Sequence, residues 1–487
     1  MTPSKGLGQV VGDLLSDADV AGIEIIGLSV DSRSVAEGYL FFAYPGATAD
    51  GRNYISEALA RGASAVLTES EGKEIRYLAH VPLIPVNRLR EKVGVVAERF
   101  YDNPCRDLFV VGVTGTNGKT SCAHLLAQSL QTEGIRAAFI GTLGWGFIGD
   151  LKNSALTTPD PVTLHRMLRD LRELGVTHVC MEVSSHALAQ GRVSGMSFDA
   201  ALFTNLTHDH LDYHDGLEDY AAAKEILFRF PSLRFAVING DDDFGRDLAA
   251  RVSVPVWVYG FSKGDVTLDR VSIDVSGLSL VIKYTEIYIK AHAPLVGRIN
   301  VRNVLAVAAV LLANGAAGAS VAAAIDQLAP VPGRMELFPK TSGIGPSVVV
   351  DYAHTPDALE RALSSVREHC KGRIWCVFGC GGDRDRVKRP LMGAIAERLS
   401  DEVIVTDDNP RHESPGAITD EIIQGMSEVP MVINDRVEAI RRAIEGAADG
   451  DWILIAGKGH EDTQQVGDEF LPMNDRSIVS NFLGVAA

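Results

Sequence analysis

The sequence is poor in the features that mark secreted, membrane-bound or nucleic-acid-binding proteins. Six cysteines occur in 487 residues (Cys105, Cys122, Cys180, Cys370, Cys376, Cys380), without a C-x-x-C pair or a disulfide ladder. Cys376 and Cys380 lack zinc-knuckle spacing, so all six read as reduced thiols of a cytoplasmic protein. Basic residues are not in excess: 46 Lys and Arg against 63 Asp and Glu give a net charge of -17, which excludes a surface built for phosphate backbones and predicts no nucleic-acid partner. The N-terminal stretch MTPSKGLGQVVGDLLSDADV has no basic start, long apolar region or small-residue cleavage site, so no export is expected. The one membrane-like run, NVLAVAAVLLANGAAGASVAAAI from Asn303, is broken by Asn314 and two glycines and predicts a buried helix pair, not membrane insertion. What is present, 46% hydrophobic and 22% charged residues, describes a folded chain of about three domains. Nothing in it requires more than a monomer.

Hydrophobic periodicity divides the chain into residues 1–88, 89–335 and 336–487. The first part alternates short apolar strands (EIIGLSV, ASAVLTE) with a helical pattern in YISEALARGA, and carries no catalytic cluster. RLREKVGVVAERFYDNP follows as an amphipathic helix stopped at Asn103-Pro104 and reads as a linker. The middle part holds LFVVGV, the turn TGTNG, the helical KTSCAHLLAQSLQTEG, and the buried-strand runs VTHVCMEV, DAALFTNL and RFAVING. Strands alternating with helices predict a mostly parallel sheet covered on both faces, and the period-two stretch from Val266 to Leu295 predicts antiparallel strands appended to it. The last part repeats strand and helix through SVVVDY, RIWCVFGC, EVIVTDD and DWILIAG. The expected fold class is therefore α/β in three domains: a small N-terminal α/β domain, a central P-loop mononucleotide-binding domain and a C-terminal Rossmann-like domain. The turn GCGGDRD departs from G-x-G-x-x-G and is weak ground for a dinucleotide.

VTGTNGKTS (Val113 to Ser121) sits between strand and helix, where backbone N–H groups and a helix N-terminus face an anion. Val113 occupies a position where the general P-loop pattern has glycine. Lys119 would reach terminal phosphates and Thr120 would ligate Mg2+; the bland alternative is a glycine turn capped by Thr116 or Asn117. Glu182 ends a buried strand and could hold a metal, or merely mark a strand end capped by Ser184 or Ser185. His208, Asp209, His210, Asp212 and His214 resemble the H-x-H-x-D-H ligand run of binuclear zinc hydrolases, with the register broken by Tyr213. Lys224, with Tyr220 and Phe228 four residues to either side, reads on its own as a snorkelling surface cation. Asn300 and Asn303 share a helical face, with a capping role for Asn300 as the alternative. Arg334 can neutralise phosphate, Asp351 can accept from ribose hydroxyls, and His354 is a candidate base. In DNPR, Asp408 and Arg411 flank the Asn409-Pro410 turn, a pair suited to a zwitterion; Arg384, Gly457 and Glu461 lie at neighbouring strand ends. On their own these residues leave open a metal-dependent hydrolase and a non-catalytic nucleotide-binding scaffold, to which the resemblance below adds an acid-amino-acid ligase.

The ordered set GVTGTNGKT, MEVSSH, FTNLTHDHLDYH, AAAKEILF, GRINVRN, PGRME, DYAHTPDALE, GCGGDRD, DNPR and GKGHED resembles the Mur ligases of peptidoglycan synthesis, and among them the type that adds diaminopimelate. The resemblance runs through all three domains. It implies ATP-dependent amide formation, in which the D-glutamyl carboxylate of UDP-MurNAc-L-Ala-D-Glu becomes an acyl phosphate that the amine of meso-diaminopimelate attacks. It implies that Gly115, Thr116, Asn117, Gly118, Lys119, Thr120, Ser121, Asn300, Asn303, Arg334 and Asp351 bind ATP. By the same resemblance Thr120, Glu182, His210 and Lys224, the last as a carbamate, hold Mg2+. Val30, Ser32, Thr157, Thr158, Ser184, Gln190 and Arg192 are implied to hold the UDP-linked acceptor. Arg384, Asp408, Asn409, Pro410, Arg411, Gly457 and Glu461 are implied to hold diaminopimelate, with Arg411 pairing the carboxylate that lysine lacks.

Overall fold

The computed structural model describes residues 4–14, 22–46, 49–72, 74–207, 209, 213–338 and 345–485. They form two compact units, Met1–Val258 and Tyr259–Ala487. His210, together with His208 and Asp212, lies outside the described residues.

The first unit contains two larger sheets beside the short antiparallel pair Lys5–Gly6 and Glu24–Ile25. In one, Gly27–Ser29, Tyr39–Ala43, Ala63–Glu69 and Val81–Val86 run parallel in that order, and Arg76–Leu78 closes the edge antiparallel. The helix Leu89–Phe100 belongs to this sheet's core: Leu89, Val93, Val96, Ala97 and Phe100 are fully buried among Leu40, Phe42, Ala65 and Leu67. The segment read as a linker is thus a packing element, because its apolar stripe recurs every three to four residues and finds an apolar sheet face. The second sheet pairs Ala137–Gly141, His178–Glu182, Phe109–Thr114, Ala200–Phe203 and Phe235–Asn239 in parallel, and extends antiparallel through Gly144–Phe147 and Asp150–Lys152. Its central strand residues are buried on both faces, which explains their unbroken apolar runs.

In the second unit the period-two stretch is an antiparallel meander, Val266–Asp274, Gly277–Tyr284 and Ile287–Ala293. The alanine-rich run forms two helices, Arg298–Ala313 and Gly318–Asp326, and no described helix is long and apolar enough to cross a membrane. A further sheet orders Ser347–Asp351, Trp452–Ala456, Ile374–Phe378, Glu402–Val405 and Met431–Val432 in parallel, with Glu336–Phe338 antiparallel at one edge. Alternate residues of one strand serve opposite cores: Val349, Cys376 and Leu454 on one face, Val348, Val350, Val377, Ile453 and Ile455 on the other. That is the double covering the strand–helix alternation predicts. A separate hairpin, Thr463–Val466 and Glu469–Pro472, follows the last parallel strand.

Candidate functional site

In the first unit the strand Phe109–Thr114 delivers the loop, and Val113 is a fully buried strand residue. The turn begins instead at Gly115, whose φ of 147° and approach to Thr204 leave no room for a side chain: a Cβ would lie 1.9 Å from Thr204 Oγ1. Gly118, at φ 85°, is the N-cap of the helix Lys119–Thr132, and no side chain caps that helix. Thr116 and Asn117 serve the loop otherwise. The amide of Thr116 donates to Asn205 O at 2.8 Å, that of Asn117 to Asn205 Oδ1 at 2.9 Å, and Thr204 Oγ1 donates to Asn117 O at 2.6 Å. The helix N-terminus, with the following Thr120 and Ser121 in its first turn, keeps its dipole turned toward an anion. Lys119 Nζ is held by the carbonyls of Gly115 and Thr116, both at 2.9 Å.

Glu182 is the junction between this loop and the neighbouring strands. It is 1% exposed, and its carboxylate accepts from Thr120 Oγ1 at 2.9 Å and from the Thr142 amide at 2.7 Å. Thr142 Oγ1 lies 3.0 Å from Thr157 Oγ1, and Thr158 Oγ1 donates to Glu182 O at 2.9 Å. Ser184 caps the short helix Ser185–Ala189 through Oγ and donates its amide to Thr158 Oγ1 at 3.1 Å. Arg192 closes the group: its guanidinium donates to Gln190 Oε1 and to Thr158 O, an amide and a carbonyl, and among the described residues it forms no ion pair, although the charge of Asp160 acts on it. Just past the strand Gly27–Ser29, Ser32 is buried and donates to Glu57 Oε2 at 2.8 Å, while Val30 lines a cavity of about 460 Å3 with Asp31, Tyr101 and Arg166.

Lys224 is not the surface cation its helix position suggested. It is 1% exposed, its Nζ donates to Gly115 O at 2.9 Å and lies 4.0 Å from the centre of the Tyr220 ring. Burial pushes its pKa well below the usual lysine range, and the nearby charge of Lys119 acts in the same direction. Apolar-looking neighbours at i-4 and i+4 describe the helix face and not what packs on it, which is why its sequence context misled. Tyr220, which the sequence did not mark, donates from its hydroxyl to Thr116 Oγ1 at 3.2 Å. His214 is buried with Nδ1 2.9 Å from Asp219 and Nε2 3.1 Å from Ser185 Oγ, so both ring nitrogens are engaged in hydrogen bonds. The hydrolase reading loses that ligand, and among the described residues no three His, Cys, Asp or Glu side chains gather as a metal cluster.

The second unit positions the remaining nucleotide candidates. Asn300 and Asn303 are buried in the first turns of their helix, whose N-cap is Gly297, so Asn300 is not a cap; Asn303 donates to Asn300 Oδ1 at 2.8 Å. Asp351 accepts from the amides of Met335 and Ala353 at 2.7 and 2.9 Å, and burial raises its pKa against the lowering influence of Arg334. The Arg334 guanidinium lies 4.4 Å from the Tyr352 ring centre, and its buried Nε has no hydrogen-bond partner. His354 is exposed, with Nδ1 2.9 Å from its own Tyr352 O.

Around DNPR, three fully buried cations bind strand ends together. Arg389 donates to both oxygens of Glu413, at 2.8 and 2.9 Å, to Glu421 and to Gly381 O. Arg436 forms a bidentate pair with Asp475 and donates to Asp407 O and Ala456 O. Lys458 bridges Glu461 Oε2 and Asn409 Oδ1, at 3.0 and 3.1 Å. Gly381 and Gly382 are explained by proximity to this loop, not by a dinucleotide: a Cβ on Gly382 would lie 1.9 Å from Pro410 O, and one on Gly381 2.8 Å from Arg411 Nη1. Gly457 likewise makes room for Asp408, whose carboxylate would lie 2.7 Å from a Cβ there. Arg411, with a positive φ of 51°, donates from Nη1 to Gly382 O at 2.7 Å and from Nε to Gln465 Oε1 at 3.2 Å. Its partners are neutral. Arg384 is exposed on the adjacent turn.

Residues 24–101 match the Mur ligase family catalytic domain, residues 113–311 the Mur ligase middle domain, and residues 333–459 the Mur ligase glutamate ligase domain. A Coxiella burnetii protein named UDP-N-acetylmuramoyl-L-alanyl-D-glutamate--2,6-diaminopimelate ligase is 46% identical over 481 residues, 97% of this chain and 98% of its own length. A solved structure with the same ligase name is 34% identical, with a TM-score of 0.72 and 99% of each chain covered. The MurF ligase of Thermotoga maritima, solved with ADP, shares the fold at 19% identity and a TM-score of 0.62, over 88% of this chain and 93% of its own. The chain belongs to the Mur ligase family.

Proposed function

We propose that the chain joins meso-diaminopimelate to the D-glutamyl carboxylate of UDP-MurNAc-L-Ala-D-Glu, in an ATP-dependent, ADP-forming amide synthesis of cytoplasmic peptidoglycan precursor assembly. The observation that carries the amino-acid choice is the Arg411 guanidinium, held by Gly382 O and Gln465 Oε1 and paired with no carboxylate among the described residues. It is matched to a substrate with a second carboxylate, and the curated relative of 46% identity is named for diaminopimelate. Residues 1–88 and the Thr157–Arg192 group would hold the acceptor, residues 89–335 the nucleotide and residues 336–487 the amino acid.

A carboxylate is a poor electrophile, so the reaction needs the acyl phosphate. The acceptor carboxylate attacks the γ-phosphorus, ADP leaves, the amine of diaminopimelate attacks the acyl carbon, and phosphate departs. The chain's part is positioning and charge neutralisation. Backbone amides at the start of the Lys119–Thr132 helix and the Lys119 ammonium take phosphate charge. Arg192, hydrogen-bonded by neutral oxygens, orients the anionic acceptor, and Asn300, Asn303, Arg334 and Asp351 bind the nucleotide. Thr120 Oγ1 and the Glu182 carboxylate are hard oxygen donors 2.9 Å apart, a donor set that fits Mg2+. His210 would complete it. When bound, Mg2+ withdraws charge from the phosphate oxygens.

Lys224 supports this reading as a carbamate. Its depressed pKa leaves a neutral amine, which can add to CO2 with loss of a proton and so convert a costly buried cation into an anionic oxygen ligand. The test is the substrate dependence of phosphate release. Release requiring ATP, Mg2+, UDP-MurNAc-L-Ala-D-Glu and diaminopimelate together, with lysine far weaker, is expected; equal or greater use of lysine would overturn the amino-acid assignment while leaving the ligase.

A further inference from the structure

The hairpin Thr463–Val466 and Glu469–Pro472 is strapped along DNPR. Gln464 Nε2 donates to Asp408 O at 2.8 Å, the Gln465 amide donates to Asn409 Oδ1 at 2.9 Å, and the Arg411 amide donates to Gln465 O at 3.1 Å. Arg411 O in turn accepts from the Gly467 amide at 2.8 Å. The side chain of Gln465 completes the strap and has one possible orientation. Its Nε2 donates to Gly467 O at 3.1 Å, which only accepts, so Oε1 must be the atom facing Arg411 Nε at 3.2 Å. Carboxylates are available nearby: Glu461 pairs with Lys458, and Asp383 and Asp468 both meet His412. None of them pairs with Arg411. A glutamate at position 465 would reach the same nitrogen with almost the same shape and would cancel the charge.

We propose that Gln465 is a specificity-determining positioning residue: it fixes the Arg411 guanidinium through a neutral oxygen and so leaves the full cationic charge for the distant carboxylate of the incoming amino acid. This rests on the reading that Arg411 recognises that carboxylate. An internal carboxylate at this position would compete with the substrate's and would attract the distal ammonium of lysine instead. Gln465 touches Arg411 and not the reacting atoms, so its effect belongs to KM for the amino acid and not to turnover.

The experiment measures phosphate release by the full chain with UDP-MurNAc-L-Ala-D-Glu and ATP, comparing wild type, Gln465→Glu and Gln465→Met, with either meso-diaminopimelate or L-lysine. Gln465→Glu should raise KM for diaminopimelate about 30-fold, with KM for ATP and acceptor unchanged and lysine use unchanged or improved. Gln465→Met keeps the charge and loses only the anchor, so its rise should be a few-fold and again confined to diaminopimelate. Gln465→Glu within about threefold of wild type, or a parallel rise in all three KM values, overturns the proposal. Should Gln465→Glu not fold, a Gln465→Met protein with unaltered KM for diaminopimelate overturns it equally. A wild type that prefers lysine overturns the Arg411 reading and this inference together; a wild type that prefers diaminopimelate beside an indifferent Gln465→Glu overturns this inference alone.

Discussion

The phosphate-loop region of the first unit and the DNPR region of the second use buried and half-buried cations in opposite ways. Lys224 and Arg192 are hydrogen-bonded by carbonyl and amide oxygens, and the nearby carboxylates Asp209 and Asp160 act on them through charge, with no hydrogen bond to either cation among the described residues. Arg389, Arg436 and Lys458 are each tied to at least one carboxylate, whereas Arg411 beside them is held by neutral partners. The difference separates two tasks. A compensated cation is a strut, since its desolvation is offset within the protein and nothing remains for a ligand. Under the proposed function an uncompensated one would serve as a receptor, whose partner would arrive with the substrate or, for Lys224, whose charge would be removed by carbamylation.

The comparison makes receptors sensitive in activity and struts sensitive in stability. Lys119→Met should lower turnover about a thousandfold while the chain stays folded, because a cation aimed at transferring phosphate acts mainly in the transition state; stopped-flow phosphate release checks this, and near-normal turnover would break the contrast. Arg436→Met, which strands Asp475 in the interior, should cost about 3–5 kcal/mol in denaturant unfolding. Arg411→Ala should cost about 100-fold with diaminopimelate and far less with lysine, with thermal stability nearly unchanged; equal losses with both amino acids would make Arg411 a strut. Tyr220→Phe removes one neutral hydrogen bond to Thr116 and should cost about 1 kcal/mol by the same unfolding measurement. The Arg389 strut has a signature in acid stability. Arg389 holds Glu413 at a pKa of about 2 against the usual 4.5, so this contribution is complete above pH 4.5 and is lost as pH falls toward 2. Glu413→Gln should flatten the decline of stability across that window.

Lys224 offers a direct check on the receptor class. The amine that adds CO2 must be neutral, so acidification through its depressed pKa removes the nucleophile and should release the adduct; 13C-bicarbonate labelling followed by NMR would report it, and absence of a carbamate signal at neutral pH would sink the assignment.

Much of the architecture was legible because burial on both faces forces continuous apolar strands. VTHVCMEV, DAALFTNL and DWILIAG could each be placed before any contact was known, and the meander announced itself by its period of two. The site was legible where chemistry is local. Lys119 and Thr120 follow a strand and open a helix, and Glu182 ends a strand. The helix Leu89–Phe100 shows the limit, since an amphipathic stripe states that a helix packs but not against which sheet. Gln465 was invisible for a related reason: nothing in EDTQQVG distinguishes it from Gln464 until a hairpin sets it against an arginine more than fifty positions earlier.

The sequence by itself determined the α/β class, the strand and helix alternation, the position of the phosphate loop and the chemical types at DNPR, because these depend on spacing and residue type along one segment. Only the tertiary structure decided that Lys224 is buried, that His214 is engaged by Asp219 and Ser185, that the glycines of GCGGDRD make space for Pro410 and Arg411, and which cations carry compensated charge. Charge compensation is a property of three-dimensional neighbours: the same guanidinium is a strut beside Glu413 and, under the proposed function, a receptor beside a glutamine amide.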